Sequence, residues 1–408
     1  MGKYSRREAV GLISGCLFVW AGFAATGQNW TATSASAYCE WQSIACSSDG
    51  SKLAAVAYDD GYGDGGLVVV STNSGTAWTQ PSAPTNVVWQ SIASSTNGAQ
   101  LAAAVYQDAN ENPGLLYVSA NSGRTWKASS GTSNYWACIA SSATGGQLFA
   151  ADSGGGDGFI YVSINAGKTW KATGAPSDFW SSISCSANGS NLVASDSGYG
   201  DGLIYTSTNS GATWTATTAP VNQWTFVAAS ADGVKLVAAN SGNGDDLIYI
   251  STNGGAAWTP SSAPSNQWAS VTSSADGRSL AAADSGYGDG LIYTSTNYGV
   301  TWTPTAAPVE YWTSITSSAD GSRLAAVSYT GGIFTWESIP ILSIVQTNQN
   351  ILISWQANSA ATSFVLQKNS NVATTNWVAV TNLPVQTNGF NQLALPIGGN
   401  QFYRMQGE

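Results

Sequence analysis

The chain has 408 residues, of which 43% are hydrophobic and only 9% charged; its formal net charge is −10 and it contains no His. The missing His excludes Ser-His-Asp-type triads, imidazole general bases and His-ligated metals. The acidic balance excludes nucleic acid as a partner, since phosphate binding needs a basic footprint.

Residues 1–25 open with Lys3, Arg6 and Arg7 and continue as an apolar run over 9–25 that ends in small residues at Gly22, Ala24 and Ala25. This pattern predicts a secretory signal cleaved near Ala24 rather than a membrane anchor. Ser5-Arg6-Arg7-Glu8-Ala9-Val10 is also similar to a twin-arginine export signal, and Ile13-Ser14-Gly15-Cys16 fits a lipoprotein cleavage box. The expected location is therefore outside the cytoplasm: secreted, periplasmic or at the cell surface, with no membrane span. Cys39, Cys46, Cys138 and Cys185 lack metal-ligand spacing and are expected as buried free thiols, a Cys39–Cys46 disulfide being the alternative.

From Ser71 the chain repeats Ser-x-Asn-x-Gly-x-x-Trp six times, the copies beginning at Ser71, Ser119, Ser163, Ser207, Ser251 and Ser295. From Trp126 onward the spacing is 44 residues, and the first interval is 48. One module shows the plan. Trp268-Ala-Ser-Val-Thr-Ser is a first strand (A), and Leu280-Ala-Ala-Ala is a second (B) after an Asp-Gly turn. Leu291-Ile-Tyr-Thr-Ser is a third (C), and Thr301-Trp302-Thr303 begins a fourth (D). Four short β-rich runs joined by turns make one antiparallel sheet. Seven modules follow from the first-strand residues Trp41, Trp89, Trp136, Trp180, Trp224, Trp268 and Trp312. The last module lacks its fourth strand, and Trp30-Thr31-Ala32-Thr33 supplies a matching orphan at the start.

The fold class is all-β: a seven-bladed β-propeller of four-stranded antiparallel blades over 28–336, closed by the N-terminal strand. After Glu337 the repeat stops. Alternating runs such as Ile351-Leu-Ile-Ser-Trp355 predict a small C-terminal β-sandwich over 338–408. That segment loosely resembles fibronectin type III modules.

The octapeptide resembles the Asp-box, or BNR, repeat of sialidase-like propellers, with Asn where Asp is commoner. Sialidases, sortilin-type receptors, some glucan-cleaving glycosidases and photosystem II assembly factors carry it. The resemblance implies a folding device on a peripheral hairpin, not an active site. It also implies, for sialidases, an arginine triad on the face opposite the boxes. Of the Arg beyond residue 25, Arg124, Arg278 and Arg323 lie in turns of the box face, and Arg404 lies in the C-terminal segment. Sialidase activity is therefore not expected, and the reading points away from an enzyme.

Sorting acids by loop gives a clear asymmetry. The B–C loops hold Asp59, Asp60, Asp64, Asp108, Glu111, Asp152, Asp157, Asp196, Asp201, Asp245, Asp246, Asp284 and Asp289, and the D–A loops add Glu40, Asp178 and Glu310. No Lys or Arg of the repeats falls in either set. Tyr62, Tyr199 and Tyr287 stand beside the acids and suit sugars. The repeated Asp-Ser-Gly-x-Gly-Asp-Gly loop pairs Asp152 with Asp157, Asp196 with Asp201 and Asp284 with Asp289. The plain reading is a hairpin turn with no cofactor; the alternative is calcium held by these pairs. The B–C loops over 58–67 and 106–115 are longer than the rest and are the first places to look for a specific site. The seven first-strand Trp either stack on a glycan at the channel mouth or, as expected, fill the wedge between blades. The expected function is non-catalytic binding of a glycan or protein on this face by a monomer. The alternatives are a glycoside hydrolase using two Asp and an assembly scaffold.

Overall fold

The computed structural model describes residues 12–13, 16–17, 30–35, 39–58, 65–131, 133–154, 157–198, 201–241, 246–338, 342–347, 350–356, 364–370, 376–387, 390–396 and 401–407. The expected signal segment lies outside these residues apart from a short pairing of Leu12–Ile13 with Cys16–Leu17. Asn29–Glu337 forms one compact unit, and Ser338–Glu408 belongs to a second.

The first unit holds seven antiparallel sheets. Their A strands are Trp41–Cys46, Val87–Ser94, Trp136–Ser141, Trp180–Cys185, Trp224–Ala229, Trp268–Ser273 and Trp312–Ser317. The B strands are Ala-rich, and Leu53–Ala57, Leu148–Asp152, Leu192–Asp196, Leu236–Asn240 and Leu280–Asp284 are buried at every position. A strand covered on both faces has no polar side to alternate with, which is why these runs are continuously apolar or small. Small side chains let neighbouring sheets approach, and the first-strand Trp fill the remaining space. All seven are at most 1% exposed, which rules out their stacking on a glycan at the channel mouth. Trp180, for example, packs with Ala151 and Ile160 of the preceding blade and meets Tyr205 of its own blade edge-on at 5.4 Å.

Two expectations need correction. The fourth strand of blade 1 is reduced to a single bridge, Val70 to Thr79, because Pro81 follows and has no N–H to continue the ladder. In blade 2 the hairpin is longer than expected, with Val87 paired to Asp108, so much of the expected 106–115 loop is strand or tight turn.

Three sets of contacts close the ring. Thr31–Ala32 pairs with Gly332–Glu337 as the fourth strand of blade 7. Thr313 Oγ1 donates to Trp41 O at 2.7 Å, joining the last blade to the first. On the box side, backbone bonds run Ser48 to Thr96, Ala143, Ala187, Ala231, Ala275 and Ala319, and Ala319 N returns to Ser48 O at 2.7 Å. Each N–H donates to the next blade in the same rotational sense.

The second unit consists of a four-stranded sheet and a three-stranded sheet. The first runs Ser343–Gln346, Asn350–Gln356, Phe390–Pro396, Val385–Thr387, and the second Val378–Ala379, Phe364–Asn369, Phe402–Gly407. Ile353, Trp355, Leu393 and Leu395 of one sheet share a core with Leu366 and Tyr403 of the other, so the pair is a sandwich. Cys39, Cys46, Cys138 and Cys185 are not joined in disulfides. Burial pushes the Cys46 thiol up to about 11 and the Cys185 thiol up to about 12, so neither is a reactive thiolate at neutral pH.

Candidate ligand face

The octapeptide is consumed by its own hairpin. Ser207 Oγ donates to Asn209 Oδ1 at 2.9 Å and accepts from Gly211 N at 3.0 Å, and Asn209 Oδ1 accepts from Thr213 N at 2.9 Å. Gly211 takes φ 84°, and Ser210 before it takes φ 56°. The tip then docks on its own A–B turn through Ser210 N to Ser190 O at 2.9 Å. These side chains are committed to structure on the face opposite the acids.

On the acidic face, Asp59, Asp60, Tyr62, Asp64, Tyr199 and Asp245 lie outside the described residues, as does the Tyr287 side chain. The others are placed as follows. Asp108 Oδ1 accepts from Asn110 N at 2.8 Å and Asn112 N at 3.0 Å. The Asn112 side chain, followed by these backbone bonds, holds its carboxyl below the usual range. Glu111 takes φ 62°, and its carbonyl accepts from the Tyr135 hydroxyl at 3.2 Å. The first Asp of each repeated loop caps the turn: Asp152, Asp196 and Asp284 Oδ1 accept from Gly154, Gly198 and Gly286 N at 2.9, 2.9 and 3.0 Å.

The paired carboxylates converge in two of the three loops. A Cβ at Gly198 would lie 2.7 Å from Asp201 Oδ1 and 3.4 Å from Asp196 Oδ2, and one at Gly286 would lie 2.9 Å from Asp289 Oδ1 and 3.8 Å from Asp284 Oδ1. At Gly154 the nearest side-chain atoms are those of Asp152, at 3.6–3.7 Å. Among the described residues no three His, Cys, Asp or Glu side chains assemble to hold a metal ion. Asp284 and Asp289 instead line an open cleft of about 460 Å³ with Asp246, Asn266, Gln267 and Tyr293.

Comparing equivalent positions shows where the seven-fold pattern breaks. Two residues before the first-strand Trp, blades 3 to 7 carry Asn134, Asp178, Asn222, Asn266 and Glu310; at the end of the B strand they carry Asp152, Asp196, Asn240, Asp284 and Ser328. Only blade 4 sets acid against acid. Asp196 is 3% exposed and its carboxyl faces that of Asp178. Burial, the close approach of Asp178 and its charge push Asp196 up to about 7. Burial also raises Asp152 and Asp284.

A second break was missed from sequence. Seventeen residues after the first-strand Trp, blades 3 to 6 carry Ser153, Ser197, Ser241 and Ser285, whereas blades 7, 1 and 2 carry Tyr329, Tyr58 and Tyr106. The signal was present in the repeat alignment, but Tyr311, Tyr329 and Tyr135 lie outside the Gly-rich loops. Tyr329 meets Tyr311 with centroids 5.5 Å apart, and Tyr106 meets Tyr135 at 5.2 Å. Burial and the neighbouring Glu40 carboxylate push this phenol up to about 12.

With the geometry established, comparison with solved structures is informative about the fold. The GH74 xyloglucanase of Xanthomonas campestris superposes with TM-score 0.57 at 13% identity, over 81% of this chain and 60% of that chain. YCF48 bound to D1 peptide superposes with TM-score 0.57 at 12% identity, over 78% and 96%. The Cps50 (Swd1) β-propeller domain of Myceliophteria thermophila gives TM-score 0.57 at 14% identity, over 76% and 99%. The fold is a β-propeller. The chain spans 60% of the length of the xyloglucanase. No protein-family model matches the chain, and no curated protein matches it.

Proposed function

We propose that this protein is an exported, non-catalytic binding propeller that takes a glycan or protein ligand on its B–C/D–A face. The observation that carries the reading is the segregation of charge. Sixteen acidic residues fall in the loops of one face with no Lys or Arg among them. The octapeptides and the Arg of the repeats are used on the other face, where Arg323 pairs with Glu337 at 3.3 Å and Arg278 Nε donates to Thr296 O at 3.1 Å. A face of one sign attracts a partner of the other and selects against its own kind. Neighbouring propellers include one solved with a bound peptide and one named as a xyloglucanase, so both ligand classes have precedent on the fold. The test is an array of glycans and peptides probed with protein lacking residues 1–24, in calcium and again in chelator. Binding to a defined ligand class in both conditions is expected; no binding to any feature sinks the reading.

A second reading, a glycoside hydrolase working through two Asp, draws on the open cleft that Asp284 and Asp289 line, where burial raises the Asp284 carboxyl in the direction a general acid needs. Reducing ends released from soluble glucans by the native chain, and not by Asp284→Asn, would establish it.

A further inference from the structure

We infer that the tyrosine–carboxylate arc on blades 7, 1 and 2 is a cation-recognition site for a Lys or Arg side chain of an extended basic peptide. The inference rests on the binding-face reading and narrows it to one ligand chemistry and one sector of the ring.

In blades 3 to 6 the residue seventeen after the first-strand Trp is Ser, and where it is bonded it closes on its own blade. Ser153 Oγ donates to Tyr135 O at 2.9 Å, Ser197 Oγ to Phe179 O at 3.4 Å and Ser285 Oγ to Gln267 O at 3.1 Å. The fold therefore asks only for a small hydroxyl here. Tyr58, Tyr106 and Tyr329 place a ring where Ser suffices, in three blades that are consecutive around the closed ring. Their backbones keep the shared geometry: Tyr58 N donates to Glu40 O at 2.7 Å and Tyr329 N to Tyr311 O at 2.8 Å. The extra aromatic surface is thus not needed for the blade, and Tyr58 leaves 41% of itself exposed.

Carboxylates accompany the rings. Glu40 lies close enough to the Tyr329 phenol, across the seam between the last blade and the first, for its charge to act on it. Glu310 is held by Ser328 Oγ at 3.0 Å, and its carboxyl lies where a side chain on Gly331 would stand. Rings with carboxylates and no counter-cation on the same face bind a cation through both ring quadrupole and charge. A neutral sugar would use the rings and leave the carboxylates without a counter-charge. Arg and Lys side chains of an extended segment would use both, and Tyr106 with Tyr135 would continue the aromatic track into blades 2 and 3.

The test uses protein lacking residues 1–24 and fluorescent octapeptides of Lys-Gly, Arg-Gly and Ser-Gly repeats, with neutral cello- and chito-oligosaccharides alongside. The variants are Tyr58→Ser, Tyr329→Ser and Glu40→Gln; the first two install the residue that blades 3 to 6 already carry, so they keep the fold. The control is Asp232→Asn, an exposed acid in an A–B turn of the opposite face. Binding of the basic peptides, weakened about tenfold by each arc variant and unchanged in the control, is expected. Equal weakening by Asp232→Asn would mean diffuse attraction to an acidic chain and overturn the inference. Binding of the oligosaccharides alone would likewise overturn the inference and keep the face. Binding of neither class would end both.

Discussion

At the scale of single residues, the octapeptide asks for two left-handed positions, not one. Ala166 and Gly167 have φ 55° and 79°. A Cβ at Gly167 would run into Val118 Cγ1, so Gly167→Ala combines strain with a clash and is expected to cost about 2 kcal/mol or more in a urea titration. Ala166→Gly relieves strain and is expected to gain about 0.5 kcal/mol after its entropy cost. The Gly was legible because its positive φ follows from turn chemistry; the residue before it was not, since Ser, Ala, Gly and Tyr all occur there. Asp196 gives a pH prediction. Its carboxyl sits at about 7 in the fold against about 4 in an unfolded chain, so the folded state binds the proton more readily. The stability this supplies is present at low pH and lost as pH rises from about 4 to about 7. The groups facing it, Asp178, Asp201 and Tyr205, supply no compensating positive charge. Asp196→Asn should abolish that slope and melt above the native protein at pH 8 but not at pH 5.

At the scale of elements, the A strands carry a bulge immediately after their Trp, with pairing that shifts between Trp180 and Ser182 and at the same place in every blade. The bulge turns Ser182 toward the next blade, where its Oγ accepts from Val227 N at 3.2 Å; Ser43, Ser91, Ser270 and Ser314 do the same for Ile92, Ile139, Ile315 and Ile44. Ser182→Ala would leave a buried N–H without that partner and is expected to cost about 1–3 kcal/mol in denaturant midpoint, with the blade order unchanged by scattering. Strand existence and blade number were legible because turn residues and Trp spacing are local. The bulge was not, since an inter-blade bond forms between residues 45 apart and leaves in the strand only a Ser beside two others that do not make it. For the same reason the acids could be sorted to one face from sequence, but the Asp178–Asp196 contact could not.

At the scale of the whole molecule, the ends of the propeller segment are held together by one aromatic cluster. Trp30 packs against Trp312 and Trp336 at 6.0 and 6.4 Å, and its indole donates to Thr305 Oγ1 at 3.0 Å. Trp30→Ala is expected to cost about 3 kcal/mol and to lower the unfolding midpoint of the whole ring in one transition rather than release a single blade. The backbone circuit from Ser48 back to Ser48 has a further consequence. Because each peptide gives one bond and takes one in the same direction, the circuit has no need to alternate givers with takers. An arrangement of mutual pairs would demand an even count, whereas a head-to-tail circle is indifferent to parity. The number seven is therefore left to geometry alone: the thickness of a Trp and the thinness of an Ala set the angle of each wedge, and the circle closes when the wedges fill the turn.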